Sequence, residues 1–395
     1  METTPRANRL QIGIFGRRNV GKSSLINALT GQDVALVSEK PGTTTDPVSK
    51  AMEIPGLGPV VLVDTAGLDD EGPLGELRVQ RTEKVLSRIH LAIVVTDPAT
   101  LIGPFERKII AQLKKRKLPT LLVVNKQDLA SSPLPFLDGI QVLGACAKTG
   151  AGIKEIIDCL VKIAPSQIEP PAIAGDLISK GEHVLLVMPQ GKAAPKGRLI
   201  LPQVQTIRDL LDHRGIVTSV QPEELEDALK LFKKPPALVI VDSQVFSKAA
   251  QVLPPTVPLT SFSILFARFK GDLPQLVAGI EAVKSLKPGD KVLIAEGCTH
   301  HSLDDDIGRV KIPRLLEEKA GGKLVFQWSS GSGFPQDLDA KLVVFCGSCM
   351  LGRTEVLSRL NQAKESGLAA VNYGVLLAYF SGILERAIEP FGLKV

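Results

Sequence analysis

The sequence has few cysteines, and its charges nearly balance. Five cysteines in 395 residues are too few, and odd in number, for the disulfide framework of a small secreted protein. We therefore expect a protein of the reducing cytoplasm. The 47 basic and 42 acidic residues leave a net charge of +5, which neither indicates nor excludes a concentrated basic face for nucleic acid.

Long hydrophobic runs are also missing. The N-terminal residues 1–16 contain no apolar signal core followed by a cleavage site. The longest uncharged run, residues 366–384, includes glycines and polar residues and is more typical of a buried helix or a strand–helix pair than of a membrane span. A content of 44% hydrophobic and 23% charged residues argues against disorder, collagen and coiled coil and favours a globular protein.

Apolar runs alternate with helical patterns along the chain. In the first 165 residues, the strand-like runs are Gln11–Gly16, Val60–Asp64, Leu91–Thr96 and Leu121–Asn125, and the helical patterns include Ser23–Leu29, Gly75–Arg88 and Phe105–Lys115. This alternation is typical of an α/β fold in which helices cover both faces of a parallel sheet. At about 100–200 residues per domain, the chain has room for two to four domains.

Composition predicts where the domains end. The proline-rich stretch 164–176 is typical of a linker, and the strand–helix alternation restarts after it. A second proline-rich stretch, Leu253–Pro258, precedes a third unit. We therefore expect an α/β domain over residues 1–165, a linker over 166–176, a smaller α/β domain over 177–264 and a third α/β domain over 265–395.

A phosphate-binding loop follows the first predicted strand. Residues Gly16–Ser23 fit the pattern G-x-x-x-x-G-K-[ST] and open a predicted helix. Backbone N–H groups of such a loop and the helix N-terminus attract phosphate oxygens. Lys22 can reach the β- and γ-phosphates, and the Ser23 hydroxyl can ligate Mg²⁺. The residues of this loop expected to contact the nucleotide are Arg17, Arg18, Asn19, Val20, Gly21, Lys22, Ser23 and Ser24.

Two further segments carry the chemistry that depends on the γ-phosphate. Asp64 ends an apolar run and can hold Mg²⁺ through water, and Gly67 can sense the γ-phosphate. The threonine run in Pro41–Asp46 resembles the first switch of the Era and TrmE GTPases, and we favour Thr44 as the Mg²⁺ ligand. Leu68 stands where Ras-type enzymes have the glutamine that positions water, so hydrolysis must use another device.

Two motifs predict that the base is guanine. The Asp128 carboxylate, in Asn125–Asp128, can accept both the N1–H and the N2–H of guanine, which adenine does not offer. The backbone of Cys146–Lys148 can meet guanine O6, with Cys146 a small buried substitute for serine. The residues of these two motifs that are expected to contact the nucleotide are Asn125, Lys126, Asp128, Cys146, Ala147 and Lys148. Asp64 is expected to contact it as well. The predicted ligands are GTP and GDP.

Asn19 suggests how hydrolysis is accelerated. It matches the asparagine that holds K⁺ in TrmE-like proteins, although it can also serve simply as a turn residue. A K⁺ at this place would spread positive charge over the leaving phosphates, as an arginine finger does, and such a finger contributes about 10³–10⁵ in rate. The sequence predicts a Mg²⁺-dependent, K⁺-activated GTPase with Lys22, Thr44 and Gly67 in catalysis.

Soft metal ligands are concentrated in two C-terminal segments, Cys298–His301 and Cys346–Cys349. Zinc requires four ligands in a closed tetrahedron, whereas an iron–sulfur cluster can leave one iron with a non-cysteine or exchangeable ligand. Three cysteines with a histidine nearby favour the cluster. A redox-active or merely buried Cys-x-x-Cys remains the alternative.

The order of these segments resembles the HydF family, the GTPases of [FeFe]-hydrogenase maturation. The matching segments are Glu296–His301, Asp305–Pro313, Gly333–Asp337, Cys346–Met350 and Asn372–Gly374. The resemblance implies a P-loop GTPase domain, a dimerisation domain and a [4Fe–4S] cluster domain in a homodimer. It also implies a carrier that receives a di-iron precursor made with the radical enzymes HydE and HydG and delivers it to the apo-hydrogenase HydA.

The resemblance also implies the metal ligands. They are Cys298, Cys346 and Cys349, with His300 as a candidate for the fourth. Phe345 stands where the family usually has a second histidine, so His301, a carboxylate, water or an incoming ligand stays open for that place. The rival interpretations are an Era/TrmE-like GTPase of ribosome assembly or tRNA modification, and a GTP-regulated zinc protein. We expect no nucleic-acid or membrane partner.

Overall fold

A computed structural model describes residues 9–30, 49–54, 56–65, 82–130, 133–165, 171–190, 199–297, 307–331, 334–335 and 337–394. The chain forms two compact units, Met1–Ile168 and Glu169–Val395. Both are built from strands that alternate with helices, which confirms the α/β fold class.

The first unit contains a six-stranded sheet with the order β2-β3-β1-β4-β5-β6. The strands are β1 Leu10–Phe15, β2 Ser49–Ile54, β3 Gly58–Asp64, β4 Leu91–Thr96, β5 Thr120–Val124 and β6 Gln141–Gly144, and the helices are α1 Lys22–Thr30, α2 Pro104–Lys115 and α3 Ile153–Ile163. Residues 82–86 are also helical; the rest of the predicted helix up to residue 81 lies outside the described residues. Neighbouring strands are parallel except β2, which pairs with β3 in antiparallel register.

Alternate side chains of the central strands fill two cores, one on each face of this sheet. Ile12 and Ile14 of β1 pack with residues of α1 and α3. Phe15, on the opposite face of the same strand, packs with Ile109 and Leu113 of α2. Burial on both faces explains why the strands appear in the sequence as continuous apolar runs.

The second unit contains two four-stranded parallel sheets, with the orders β10-β9-β7-β8 and β12-β11-β13-β14. Their strands are β7 His183–Val187, β8 Ile216–Val220, β9 Leu238–Val241, β10 Leu259–Ser261, β11 Lys291–Glu296, β12 Val325–Ser330, β13 Leu342–Phe345 and β14 Ala369–Asn372. Their helices are α4 Leu201–Asp212, α5 Leu225–Leu231, α6 Phe246–Val252, α7 Phe262–Lys270, α8 Leu273–Ala278, α9 Ile280–Lys284, α10 Ile312–Ala320, α11 Arg353–Glu365, α12 Tyr373–Phe380 and α13 Leu384–Ile388.

Helix α7 connects the cores of these two sheets. Its residues Leu265 and Phe266 pack in the cluster on one face of the first sheet. Ile264 and Ala267 belong to a second cluster that includes residues of both sheets. The boundary expected at residues 264–265 therefore falls inside a helix. The C-terminal end of α7 brings Lys270 to the second sheet, where it contacts the loop that follows β13.

The long uncharged run forms a strand and a helix, β14 and α12, as one of the two sequence-based alternatives predicted. Asn372 ends the strand and caps the helix, because its Oδ1 accepts a hydrogen bond from Val375 N at 2.9 Å. Within the described residues, no helix combines the length and the apolar character needed to cross a bilayer.

Candidate GTP site and cysteine loop

The phosphate loop connects the end of β1 to the start of α1, and two of its glycines are required by close neighbours. A Cβ on Gly16 would lie 2.3 Å from the carbonyl oxygen of Val95 in β4. A Cβ on Gly21, whose φ is +92°, would lie 2.2 Å from Nδ2 of Asn125. The loop can therefore run this close to β4 and to Asn125 only with glycine at both positions.

Lys22 places a buried positive charge inside this loop. The residue is 7% exposed, and its Nζ donates hydrogen bonds to the carbonyl oxygens of Gly16 and Arg17, the latter at 2.8 Å. Ser23 and Ser24 follow at the exposed start of α1. The ammonium is thus held where phosphate oxygens are expected.

Asp64 is brought to the same edge of the sheet by strand pairing. It ends β3, lies beside Ile14 of β1 and is 4% exposed. The next residue, Thr65, donates its Oγ1–H to the carbonyl oxygen of Ile14 at 2.6 Å, which fixes the start of the segment after β3. The other predicted residues for the γ-phosphate and Mg²⁺, Thr44 and Gly67, lie outside the described residues.

Asn125 hydrogen-bonds both to the phosphate loop and to the segment Cys146–Lys148, which is predicted to contact guanine. Its Nδ2 donates to the carbonyl oxygen of Val20 at 3.0 Å, and its Oδ1 accepts from Ala147 N at 3.0 Å. Lys126 adds a second tie, because its Nζ donates to the carbonyl oxygen of Asn19. The sequence predicted both Asn125 and Lys126 as nucleotide contacts. In the structure, their side chains hydrogen-bond to the backbone of these segments and fix their positions relative to one another.

Cys146 contacts the residue predicted to recognise guanine. Its Sγ donates to Oδ1 of Asp128 at 3.2 Å, as a serine hydroxyl at this place would. Cys146 is 4% exposed, whereas Asp128 and Lys148 are exposed. The thiol therefore orients one carboxylate oxygen, and the carboxylate stays accessible to a base.

Glu106 is a component of the site that the sequence did not reveal. It is fully buried; its Oε1 accepts from Nε of Arg17 at 2.9 Å, and its Oε2 accepts from Gly103 N at 2.9 Å. The contact directs the Arg17 side chain toward the start of α2. In the sequence, Glu106 is indistinguishable from an exposed glutamate in the first turn of a helix, so no signal predicted its burial.

Two predicted metal ligands lie at the end of an inner strand of the second unit. Cys346 and Cys349 are half-buried and lie in the loop that follows β13. Strand β13 runs parallel to β11. The Sγ of Cys346 accepts hydrogen bonds from Gly297 N at 3.0 Å and Ser348 N at 3.3 Å. Hydrogen bonds to the sulfurs are among the features that tune metal–thiolate centres, so the donor set fits such a centre.

Lys270 is a cation that contacts the backbone of this loop, including the carbonyl oxygen of Cys349. It is 1% exposed, and burial lowers its pKa to about 8, an effect partly opposed by the charges of Cys349 and Cys346. Burial also raises the pKa of the Cys349 thiol, with a further increase from Cys346 and a decrease from Lys270. The sequence did not single out Lys270.

The other predicted metal ligands, Cys298, His300 and His301, lie outside the described residues. In the part of the chain that is described, no three His, Cys, Asp or Glu side chains are grouped to hold a metal ion. Phe345 is 3% exposed and stacks on Phe334 with ring centroids 5.8 Å apart. The position to which the resemblance assigns a second histidine is thus filled by a core side chain.

The fold and the site define a P-loop GTPase domain followed by two further α/β sheets, one of which carries a cysteine loop. A family model described as 50S ribosome-binding GTPase matches residues 11–126. The hydrogen maturase F dimerization domain matches residues 173–271, and the hydrogen maturase F tetramerization domain matches residues 274–390. The chain belongs to the hydrogen maturase F (HydF) family, as the sequence motifs predicted.

Curated relatives resemble part of the chain. GTPase Der of Kosmotoga olearia is 31% identical over 218 residues, which are 50% of this chain and 48% of the relative. The tRNA modification GTPase MnmE of Symbiobacterium thermophilum is 38% identical over 161 residues, 39% of this chain and 35% of the relative. The chain thus spans half or less of the length of these relatives.

Among solved structures, the G domain of T. maritima FeoB is similar, with a TM-score of 0.31 and 23% identity over 40% of this chain and 99% of that one. Era in complex with MgGDPNP and a 16S ribosomal RNA fragment gives a TM-score of 0.33 and 20% identity, over 54% of this chain and 92% of the other.

Proposed function

We propose that the protein is a cytoplasmic, homodimeric, GTP-hydrolysing carrier in the assembly of the [FeFe]-hydrogenase active site. In this role it binds a [4Fe–4S] cluster, receives a di-iron precursor made with HydE and HydG, and delivers it to the apo-hydrogenase HydA. The observation that carries the proposal is the half-buried Cys346-x-x-Cys349 loop beside Gly297, in a chain of the HydF family.

Gly297, the last described residue before Cys298, supports the proposal of a third cysteine ligand. Gly297 N lies 3.0 Å from the Cys346 Sγ, and Cys298 is the next residue, with adjacent Cα atoms about 3.8 Å apart. Cys298 is the proposed third ligand of a centre held by Cys346 and Cys349. With three cysteine ligands, a bound cluster would keep one iron with an exchangeable position for the precursor. His300 is the candidate protein ligand for that iron.

Anaerobic purification followed by metal analysis and a transfer assay tests this function. We expect iron and sulfide in the protein, a broad visible absorption band, and a dimer or larger species by light scattering. After exposure to HydE and HydG, the loaded protein should restore hydrogen evolution to apo-HydA. Zinc without sulfide would favour the GTP-regulated zinc protein, and co-purifying RNA without iron would favour the Era/TrmE-like alternative.

The proposed GTPase reaction is attack of water on the γ-phosphate. Lys22 is the residue available to neutralise charge on the β- and γ-phosphates, since its Nζ lies in the phosphate loop. Ser23 and Asp64, with Thr44, would hold Mg²⁺, which offsets the negative charge that develops on the phosphates. Asp128 would select guanine, with one oxygen held by Cys146.

K⁺ activation is the finer part of this proposal, and Asn19 carries it. The residue is exposed, has a left-handed φ of 65°, and its carbonyl oxygen is tied to Lys126. We expect hydrolysis to be at least about tenfold faster in K⁺ than in Na⁺, a small part of what a cation beside the phosphates can contribute. Initial rates of phosphate release in the two chloride salts, at equal ionic strength, measure this.

Two substitutions separate a K⁺ ligand from a turn residue. Asn19→Gly removes the side chain and tolerates the positive φ, whereas Asn19→Ala removes the side chain and adds backbone strain. If Asn19 ligates K⁺, both variants lose the difference between the two salts. Equal rates in K⁺ and Na⁺ for the parental protein, or a difference that persists in Asn19→Gly, would exclude K⁺ ligation by this residue.

A further inference from the structure

Lys270 is buried in a way that lysine rarely is. It ends α7 and is 1% exposed, although a lysine ammonium is strongly hydrated in water. Its Nζ donates to the carbonyl oxygens of Leu351 at 2.7 Å, Cys349 at 2.9 Å and Ser348 at 3.3 Å. An ammonium has three N–H donors, so these carbonyls, all from one loop, match its full capacity.

The loop that Lys270 contacts is the one that carries both cysteines. Ser348, between them, is 5% exposed and has a φ of 50°, a left-handed conformation that costs free energy for a residue other than glycine. The loop therefore needs support to keep this shape. The hydrogen bonds from Lys270 supply it from a position 79 residues away in the chain.

We propose that Lys270 is a positioning residue for the metal centre held by Cys346 and Cys349. Its N–H groups fix the backbone of the loop, and its charge, 2.9 Å from the carbonyl oxygen of Cys349, would make a bound centre easier to reduce. This inference rests on the proposed function, because it assumes that these cysteines bind a cluster. The reduction potential of such a cluster depends on nearby charge, hydrogen bonds and exposure, and a charge shielded from water acts most strongly.

Arg386 provides a matched comparison in the same unit. Its guanidinium also donates to the carbonyls of one loop, at 2.6 Å to Pro254 and 2.9 Å to Val257. That loop contains no cysteine. Replacing a cation that only supports a loop, such as Arg386, should therefore leave the reduction potential unchanged. Replacing a cation that also acts on the metal centre should lower it.

The experiment compares Lys270→Met, Lys270→Gln and Arg386→Met in anaerobically purified protein, titrated with dithionite and followed by electron paramagnetic resonance. At the parental midpoint potential, we expect the ratio of reduced to oxidised cluster to be about tenfold lower in both Lys270 variants than in the parental protein. This corresponds to a midpoint potential lower by about 59 mV for one electron. Arg386→Met should keep the parental potential. Lys270→Gln keeps amide donors, so it isolates the effect of the charge if Lys270→Met does not fold.

Hydrogen exchange of residues 346–351 in the metal-free proteins tests the positioning role without a cluster. Lys270→Met should exchange faster there, and Arg386→Met should exchange like the parental protein. Unchanged exchange, or an unchanged potential in a cluster-loaded Lys270 variant, overturns this inference and leaves the proposed function intact. A parental protein without iron and sulfide overturns both together.

Discussion

Replacing Lys22 with alanine is expected to lower the rate of GTP hydrolysis by about 10²–10³-fold, the usual cost of removing one group that stabilises charge in the transition state. Its Nζ is held in the phosphate loop by the carbonyl oxygens of Gly16 and Arg17, and no carbon of an alanine can replace that charge. Phosphate release under saturating GTP measures the loss.

Lys22→Ala should leave the iron content unchanged, because Lys22 and the cysteine loop lie in different compact units of the chain. Lys50→Ala is the matched control. Lys50 belongs to the same unit, but its Nζ donates to Oγ1 of Thr30 at 3.2 Å, so the control should hydrolyse GTP at the parental rate. Loss of iron in a folded Lys22→Ala protein would contradict the independence of the two sites.

The phosphate loop was predictable because its chemistry is local. Six residues between one strand and one helix determine the turn, and the pattern of glycine, lysine and serine is readable without knowledge of any distant contact. Glu106 was not predictable for the opposite reason. Its carboxylate pairs with Arg17, which is 89 residues away in the chain.

Strand β2 and the chain near residue 264 also depend on distant contacts that the sequence does not reveal. Ser49–Ile54 is mostly half-buried and has no continuous apolar run, so its pairing with β3 leaves little trace in the sequence. The prolines of residues 253–258 suggested a break between domains. However, the next residues form β10, which pairs with β9, and α7 then contributes to the core of both sheets.

Lys270 illustrates a contact of the cysteine loop that could not be predicted from the sequence. The Cys-x-x-Cys spacing indicated paired soft ligands, but a lysine in the last turn of a helix ordinarily indicates only a favourable interaction with the helix dipole. Only the tertiary structure brings Lys270 to the loop. Thr44, Gly67, Cys298 and His300 stay predictions, because they lie outside the described residues.

Single replacement of Cys298, Cys346 or Cys349 by serine is expected to remove most of the bound iron and sulfide. A serine hydroxyl is a far poorer iron ligand than a thiolate at neutral pH, and with only three cysteines in the proposed set each one is essential. For Cys346, the change also replaces the sulfur that accepts hydrogen bonds from Gly297 N and Ser348 N. Iron and sulfide are measured after anaerobic reconstitution, beside the GTPase rate, which should not change.

Cys159→Ser is the matched control, because Cys159 is a buried cysteine of the other unit and its thiol donates to Oε1 of Gln141 at 2.6 Å. A serine hydroxyl can make the same hydrogen bond, so this variant should keep both iron and GTP hydrolysis. If Cys346→Ser and Cys349→Ser retain iron and sulfide as Cys159→Ser does, the loop after β13 does not hold the cluster, and the proposed carrier function loses the observation on which it depends.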